Sequence, residues 1–202
     1  MKLTIKLLLS LAVAALLLSS CGNRNGGKNH VPAEPEAVQM TLTDKYFQAI
    51  DRYFTDQVAP QYAPAELCIT YHNYADVDDS NPDDIQVWGD FWVENYNIAG
   101  DTLLFVSGGN HAGKVHVKKD SAGNYLATGL DAVGDGSNYL PTAKAIFGER
   151  FDDFQKANSD HVLREKIRKT AISGYVFKNK LNVKYYKDYG WPAVKIPSPE
   201  DL

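Results

Sequence analysis

The residues best placed to do chemistry lie on one stretch, Ile85 to Ile98, reading IQVWGDFWVENYNI. Ile85, Val87, Gly89, Phe91 and Val93 fall on one side of an extended chain, and Gln86, Trp88, Asp90, Trp92, Glu94 and Tyr96 on the other. Trp88 and Trp92 thus bracket the carboxylate of Asp90. Such a wall can stack an apolar or sugar ring on its indoles and fix the polar groups of a ligand through the carboxylate. The same face can also pack beneath helices or form cross-strand aromatic pairs, with Asp90 held by a hydrogen bond. Two histidines, His72 and His116, join Trp88, Asp90 and Trp92 as candidate ligand-binding residues. Asp90 or a histidine could also serve an enzyme as general base, because acid–base work needs a titratable group in a sheltered cleft. No partner group stands at a spacing that would complete a catalytic pair, so no catalytic residue is assigned.

Other patterns lead to no site. Asp76 to Asp84 reads DVDDSNPDD, with five aspartates. A calcium loop starting at Asp76 would need glycine sixth and glutamate twelfth, where Asn81 and Val87 stand, so the segment reads as a solvated turn. Gly108 to Lys114 matches the outline of a phosphate-binding loop, but Val115 follows in place of Ser or Thr, and VHVKK alternates like a strand. The stretch reads as a hairpin connection whose glycines take positive φ. His111 and His116 are read as facing solvent across that bend. Cys68, between Leu67 and Ile69, reads as a small packed hydrophobe. No metal site and no cofactor are called for.

The elements that carry these residues follow from periodicity. Thr43 to Val58 has Tyr46, Phe47, Ile50, Tyr53, Phe54 and Val58 at helical spacing, with Thr43 as cap, and Pro60 and Pro64 stop it. Strand patterns follow over Glu66–Tyr74, Ile85–Ile98, Asp101–Ser107, Lys114–Lys119 and Tyr125–Val133. Pro141–Ala157 and Ser159–Asn179 predict two helices with Ser159 as cap between them, and Leu181–Tyr186 a final short strand. The aromatic tail Tyr185, Tyr186, Tyr189 and Trp191 is expected to fold back as a strap. The fold class is α+β: an N-terminal helix, a curved antiparallel sheet of about four strands, a C-terminal helix pair and a short final strand, in one domain over residues 41–202. This element order over Thr43 to Val133 resembles the cystatin-like or nuclear-transport-factor-like α+β arrangement, which hosts binding proteins and enzymes alike.

The N-terminus supplies an address. Lys2 and Lys6 precede an apolar run from Leu7 to Leu18 that ends in Ser19-Ser20-Cys21. The run is shorter than the ~20 residues of a membrane span and within the ~7–15 of a secretory signal. It resembles the lipobox of bacterial lipoproteins, which implies cleavage of residues 1–20 and a diacylglyceryl thioether on Cys21. Lipidation would consume one of the two cysteines, so no internal disulfide could form and the core must stabilise the fold. Residues 21–40 read as a tether, able to reach about 60 Å at ~3.5 Å per residue. An acidic run after the cysteine is absent, Gly22-Asn23-Arg24-Asn25 standing there, which favours the periplasmic face of the outer membrane.

Removing Lys2 and Lys6 from the 21 basic residues leaves 19 against 25 acidic ones, a net charge of −6. Nucleic acid is excluded as a partner on that balance, since phosphate binding needs a basic patch. Three functions are open: a non-catalytic lipoprotein binding a small molecule or peptide in a sheet-face groove, an envelope protein-interaction subunit using the aromatic tail, or an enzyme with Asp90 or a histidine as base. For the address, a fatty-acid analogue fed to growing cells should label the wild-type chain and not Cys21→Ala. Equal labelling of the two would refute acylation at Cys21.

Overall fold

A computed structural model describes residues 40–201, with only the backbone for residues 40–45. The signal-peptide and lipobox residues, and all but the last residue of the tether segment, lie outside the described residues. The described chain is α+β. Helix α1 (Met40–Tyr53) is followed by strands β1 (Leu67–Asp78), β2 (Ile85–Ala99), β3 (Thr102–Lys119) and β4 (Tyr125–Ala132). Then come helices α2 (Tyr139–Phe147), α3 (Phe151–Ser159) and α4 (His161–Lys178) and the short strands β5 (Tyr185–Lys187) and β6 (Val194–Lys195). Strands β1 to β4 form an antiparallel meander. Strand β5 adds to the start of β3 in parallel, and β6 pairs with β5.

Helix α1 begins at Met40, which places Thr43 inside the helix rather than at its cap. Its buried stripe is Tyr46, Ile50, Phe54 and Val58, a strict four-residue repeat. On an α-helix that repeat drifts by about 40° per step. A π-helical turn over Phe54–Val58 underwinds the chain and keeps Phe54 and Val58 buried. The stripe packs on Val87, Phe91, Val93, Val115 and Val117.

Three further expectations are corrected. The glycine-rich stretch is no hairpin: β3 runs unbroken through it. Gly108 and Gly113 stand where neighbouring backbone passes close by, and Gly109 where the Tyr62 hydroxyl does. A Cβ on Gly108 would lie 2.1 Å from the Val93 carbonyl oxygen, and one on Gly113 2.3 Å from that of Asp131. Gly108 follows an irregularity in the β2–β3 register opposite Asn95 and Tyr96, where Val106 is the unpaired extra residue, as at a β-bulge. The expected helix Pro141–Ala157 is two helices, broken where Gly148 takes φ +53°. The cap of α4 is Asp160, which accepts from the Leu163 amide at 2.9 Å, while Ser159 ends α3.

Both sheet faces are covered. Against α1 lies the first core, and against α2 and α3 lies a second, built on Trp88, Ala143, Phe147, Phe151 and Phe154. Helix α4 and the tail complete a third, with Ile69, Tyr96, Leu103, Ile172 and Tyr186. Of the expected strap, Tyr186 is buried, whereas Tyr185 is partly open and Tyr189 and Trp191 are exposed.

A buried ionic network ties these layers. Glu94 accepts from the Tyr71 hydroxyl (2.9 Å), the Tyr96 hydroxyl and Arg168 Nε (2.9 Å). Arg168 extends through Nη1 and Nη2 to both oxygens of Asp188 (2.8 and 2.6 Å). Burial, reinforced by the Glu94 carboxylate, holds both tyrosine hydroxyls far above the usual phenol range. Removing one partner of such a pair leaves a buried charge uncompensated. Arg168→Met should therefore lower the unfolding free energy by about 3–5 kcal/mol in urea titration. The double variant Arg168→Met/Glu94→Gln should recover part of that loss. A loss below about 1 kcal/mol for Arg168→Met would contradict the network's role.

Candidate functional site

Strand β2 presents Trp88, Asp90 and Trp92 on one face, as the alternation requires, and helices cover that face. Trp88 is 6% exposed; its Nε1 donates to the Ile146 carbonyl at 2.9 Å, and the Arg150 guanidinium lies 4.0 Å from its ring centroid. Asp90 is 3% exposed and accepts from Trp92 Nε1 at 2.9 Å and from the Asn110 side-chain amide. Burial pushes its carboxyl up to about 6, against the pull of these two donors. Trp92 is half-buried, stacked on Tyr71 with ring centroids 5.6 Å apart and planes 4° apart, and the Arg164 guanidinium lies 5.4 Å from the indole centroid.

Between these groups a crevice of about 10 Å³ remains, lined by Asn73, Asp90, Trp92, Asn158, Arg164 and Ile167, among others. That is about the room one water needs. The expected groove is thus filled by α3 and α4, because a sheet apolar on one side still needs cover for two indoles on the other. The Asp90 carboxylate can hold a water and, near pH 6, take up a proton.

The two histidines are not brought to this crevice. His72 lies on the opposite sheet face, buried among Phe47, Phe54 and Phe91, with ring centroids 5.4–5.8 Å from its own. Register explains this: His72 is paired with Phe91, whose side chain faces α1. Neither ring nitrogen has a hydrogen-bond partner among the described residues, and burial pushes its pKa down to about 3. His116 is opposite Gln86 on the Trp88 side, at the far end of β2. Its Nδ1 lies 2.7 Å from Asp84 and its Nε2 3.1 Å from Asp131. Partial burial works against its charge, but these carboxylates outweigh it and raise the pKa. His111, expected in solvent, is half-buried with Nε2 2.9 Å from the Tyr62 hydroxyl.

The remaining candidates are engaged locally. Within Asp76–Asp84, Asp76 pairs with Arg150, Asp78 accepts from the Ser80 amide at 3.0 Å, and Asp84 faces His116. Burial, followed by the nearby Asp51 and Glu94 carboxylates, pushes the Cys68 thiol up to about 11. Sequence reasoning missed Asn110, Arg164, Glu94 and Arg168. A signal existed for three of them. Glu94 shares the alternation of Asp90, and Arg164, Arg168 and Ile172 recur every four residues on α4.

No protein-family model, curated protein or solved structure matches this chain.

His72 and Asp90 oppose each other in their effect on stability with pH. His72 has its folded pKa below the unfolded value, so the stability it secures is present above pH 6.5 and is lost as pH falls toward 3. Asp90 has its folded pKa above the unfolded value, so the folded state is favoured below pH 3.8 and loses stability as pH rises through about 6. His72→Phe should flatten the acid side of a plot of unfolding free energy against pH and raise stability there. Asp90→Asn should remove the decline near pH 6 while costing about 1–3 kcal/mol, because Trp92 and Asn110 donate to different oxygens of Asp90 and the amide replaces one of them with an NH2 donor. An unchanged pH profile in either variant would count against this assignment.

Proposed function

We propose that the chain is a non-catalytic lipoprotein, held by acylated Cys21 on the periplasmic face of the outer membrane, and that its domain docks an envelope protein through the β5–β6 hairpin. The observation that carries the docking reading is the hairpin tip. Tyr189 is 94% and Trp191 71% exposed, next to a sheet otherwise covered on both faces. The tip is a tight turn, Trp191 N donating to the Asp188 carbonyl at 3.1 Å, with Gly190 at φ +78°. Asp188, beside Tyr189, is fastened to Arg168, so the aromatics are presented on a fixed base. Rigid presentation reduces the ordering cost of binding, and Tyr and Trp are the residues most enriched at interface hot spots. The net charge of −6 for a chain cleaved at Cys21 opposes adhesion to an anionic bilayer and favours a protein partner.

A second reading, a small molecule or peptide on the Asp90–Trp92 face, is supported by the convergence of Asp90, Trp92 and Arg164 on one crevice. It requires α3 and α4 to part from the sheet, since the crevice admits about one water. The cystatin-like resemblance of the sequence is neutral between these readings.

A photo-crosslinking amino acid at position 189 or 191 in intact cells should give one discrete adduct with a protein, and none from position 123 on the β3–β4 turn. Tyr189→Ser/Trp191→Ser should abolish co-purification of that protein and leave stability within about 0.5 kcal/mol. Adducts of equal yield from position 123, or crosslinks to lipid alone, would overturn the docking reading.

A further inference from the structure

Away from both the Asp90 face and the hairpin tip, a cavity of about 570 Å³ opens where the end of α4 meets the chain that leaves it and the final residues. This volume lies in the range of small-molecule sites. Its apolar surface comes from Val176, Leu181, Val183 and Ile196, and Phe177, 71% exposed, belongs to the same wall. Three lysines line it, Lys180, Lys184 and Lys195, against the single carboxylate of Asp201. That carboxylate is occupied by the Ser198 hydroxyl (2.7 Å) and amide (3.2 Å). Among the described residues the Lys184 ammonium pairs only at a distance, with Asp101 at 3.9 Å. In a net acidic chain, this is a local reversal of charge beside exposed apolar surface.

Lys180 adds a second, independent observation. Its φ is +54°, and it is the one non-glycine residue with positive φ among the described residues. It occupies the turn that closes α4, where Leu181 N donates to the Val176 carbonyl at 3.0 Å and Lys180 N to that of Phe177 at 3.1 Å. Glycine is the residue that relieves strain at this position. A lysine held there against local preference lines the cavity, and strain of this kind concentrates at binding sites.

We infer that this cavity binds a fatty carboxylate, its acyl chain laid over Val176, Phe177 and Ile196 and its carboxylate met by Lys180, Lys184 and Lys195. The acyl chain matches the apolar floor, and the head group matches the only charge in excess on the rim. The site is separate from the hairpin contact and does not rest on it.

Calorimetry with laurate, using the chain from residue 21 with Cys21→Ser so that no attached lipid competes, provides the test. Laurate should bind saturably at one per chain, and dodecanol at least about tenfold more weakly, as expected for loss of one good charge contact. Lys180→Gly should melt at a higher temperature than the parent yet bind laurate about tenfold more weakly. Lys184→Gln/Lys195→Gln should weaken laurate as well, while Tyr189→Ser/Trp191→Ser should leave it unchanged. The inference fails if laurate does not saturate, if dodecanol binds as tightly, or if Lys180→Gly gains stability with no change in affinity.

Discussion

Arg168 is the group on which the covered sheet depends. Its guanidinium lies between Glu94 on β2 and Asp188 beyond β5, so one side chain of α4 meets the sheet on one side and the C-terminal hairpin on the other. A carboxylate in a dry interior is tolerated only when paired and hydrogen-bonded. Glu94 satisfies this with two tyrosine hydroxyls and Arg168. Apolar packing would allow α4 many orientations, whereas the fork geometry of the guanidinium allows few. The position of the tail, and with it the exposed pair Tyr189 and Trp191, is set by a polar interaction buried well away from the tip.

The same constraint accounts for the polar character of the β2 face under the helices. Successive inward positions carry Trp88, Asp90, Trp92, Glu94 and Tyr96, and each polar atom of the set finds a partner: a helix carbonyl for Trp88, Asp90 for Trp92, Glu94 for Tyr96. The opposite face, against α1, is aromatic and aliphatic and contains His72, whose nitrogens have no such partner among the described residues. One sheet thus has a face organised by hydrogen bonds and another by ring packing, and the two respond to acid in opposite directions.

Much of the fold was legible because its main signals are local. Period-two alternation marked β1 and β2, and the α1 stripe marked the first core. The glycines of β3 misled because a glycine run looks the same whether it bends freely or lies where neighbouring backbone comes within reach of a Cβ, and only the closeness of the Val93 and Asp131 carbonyls distinguishes the two. Trp88, Asp90 and Trp92 were found as a set, but alternation reports which side a residue faces and not what lies above it. The covering helices α3 and α4 are more than 50 residues further along the chain. His72 was grouped with the wrong set because strand register is a long-range property. Lys180 gave no signal at all, since strain at a helix end is invisible until φ is known.

The pairing of β5 with β3 sets the order in which the molecule can be assembled. Thr102 to Leu104 meet Tyr185 to Lys187, so this ladder joins segments separated by about 80 residues of intervening chain. Contacts of that separation close large loops and form slowly compared with the β1–β4 meander, whose paired strands follow one another in the chain. Until the last strands arrive, the edge of β3 that β5 covers has open amide and carbonyl groups, and Leu103 has no cover from Tyr186. A nascent chain of this topology completes its sheet only after residues 185–195 have been made and are free to pair. The interval before that is when it is most open to pairing with the wrong strand.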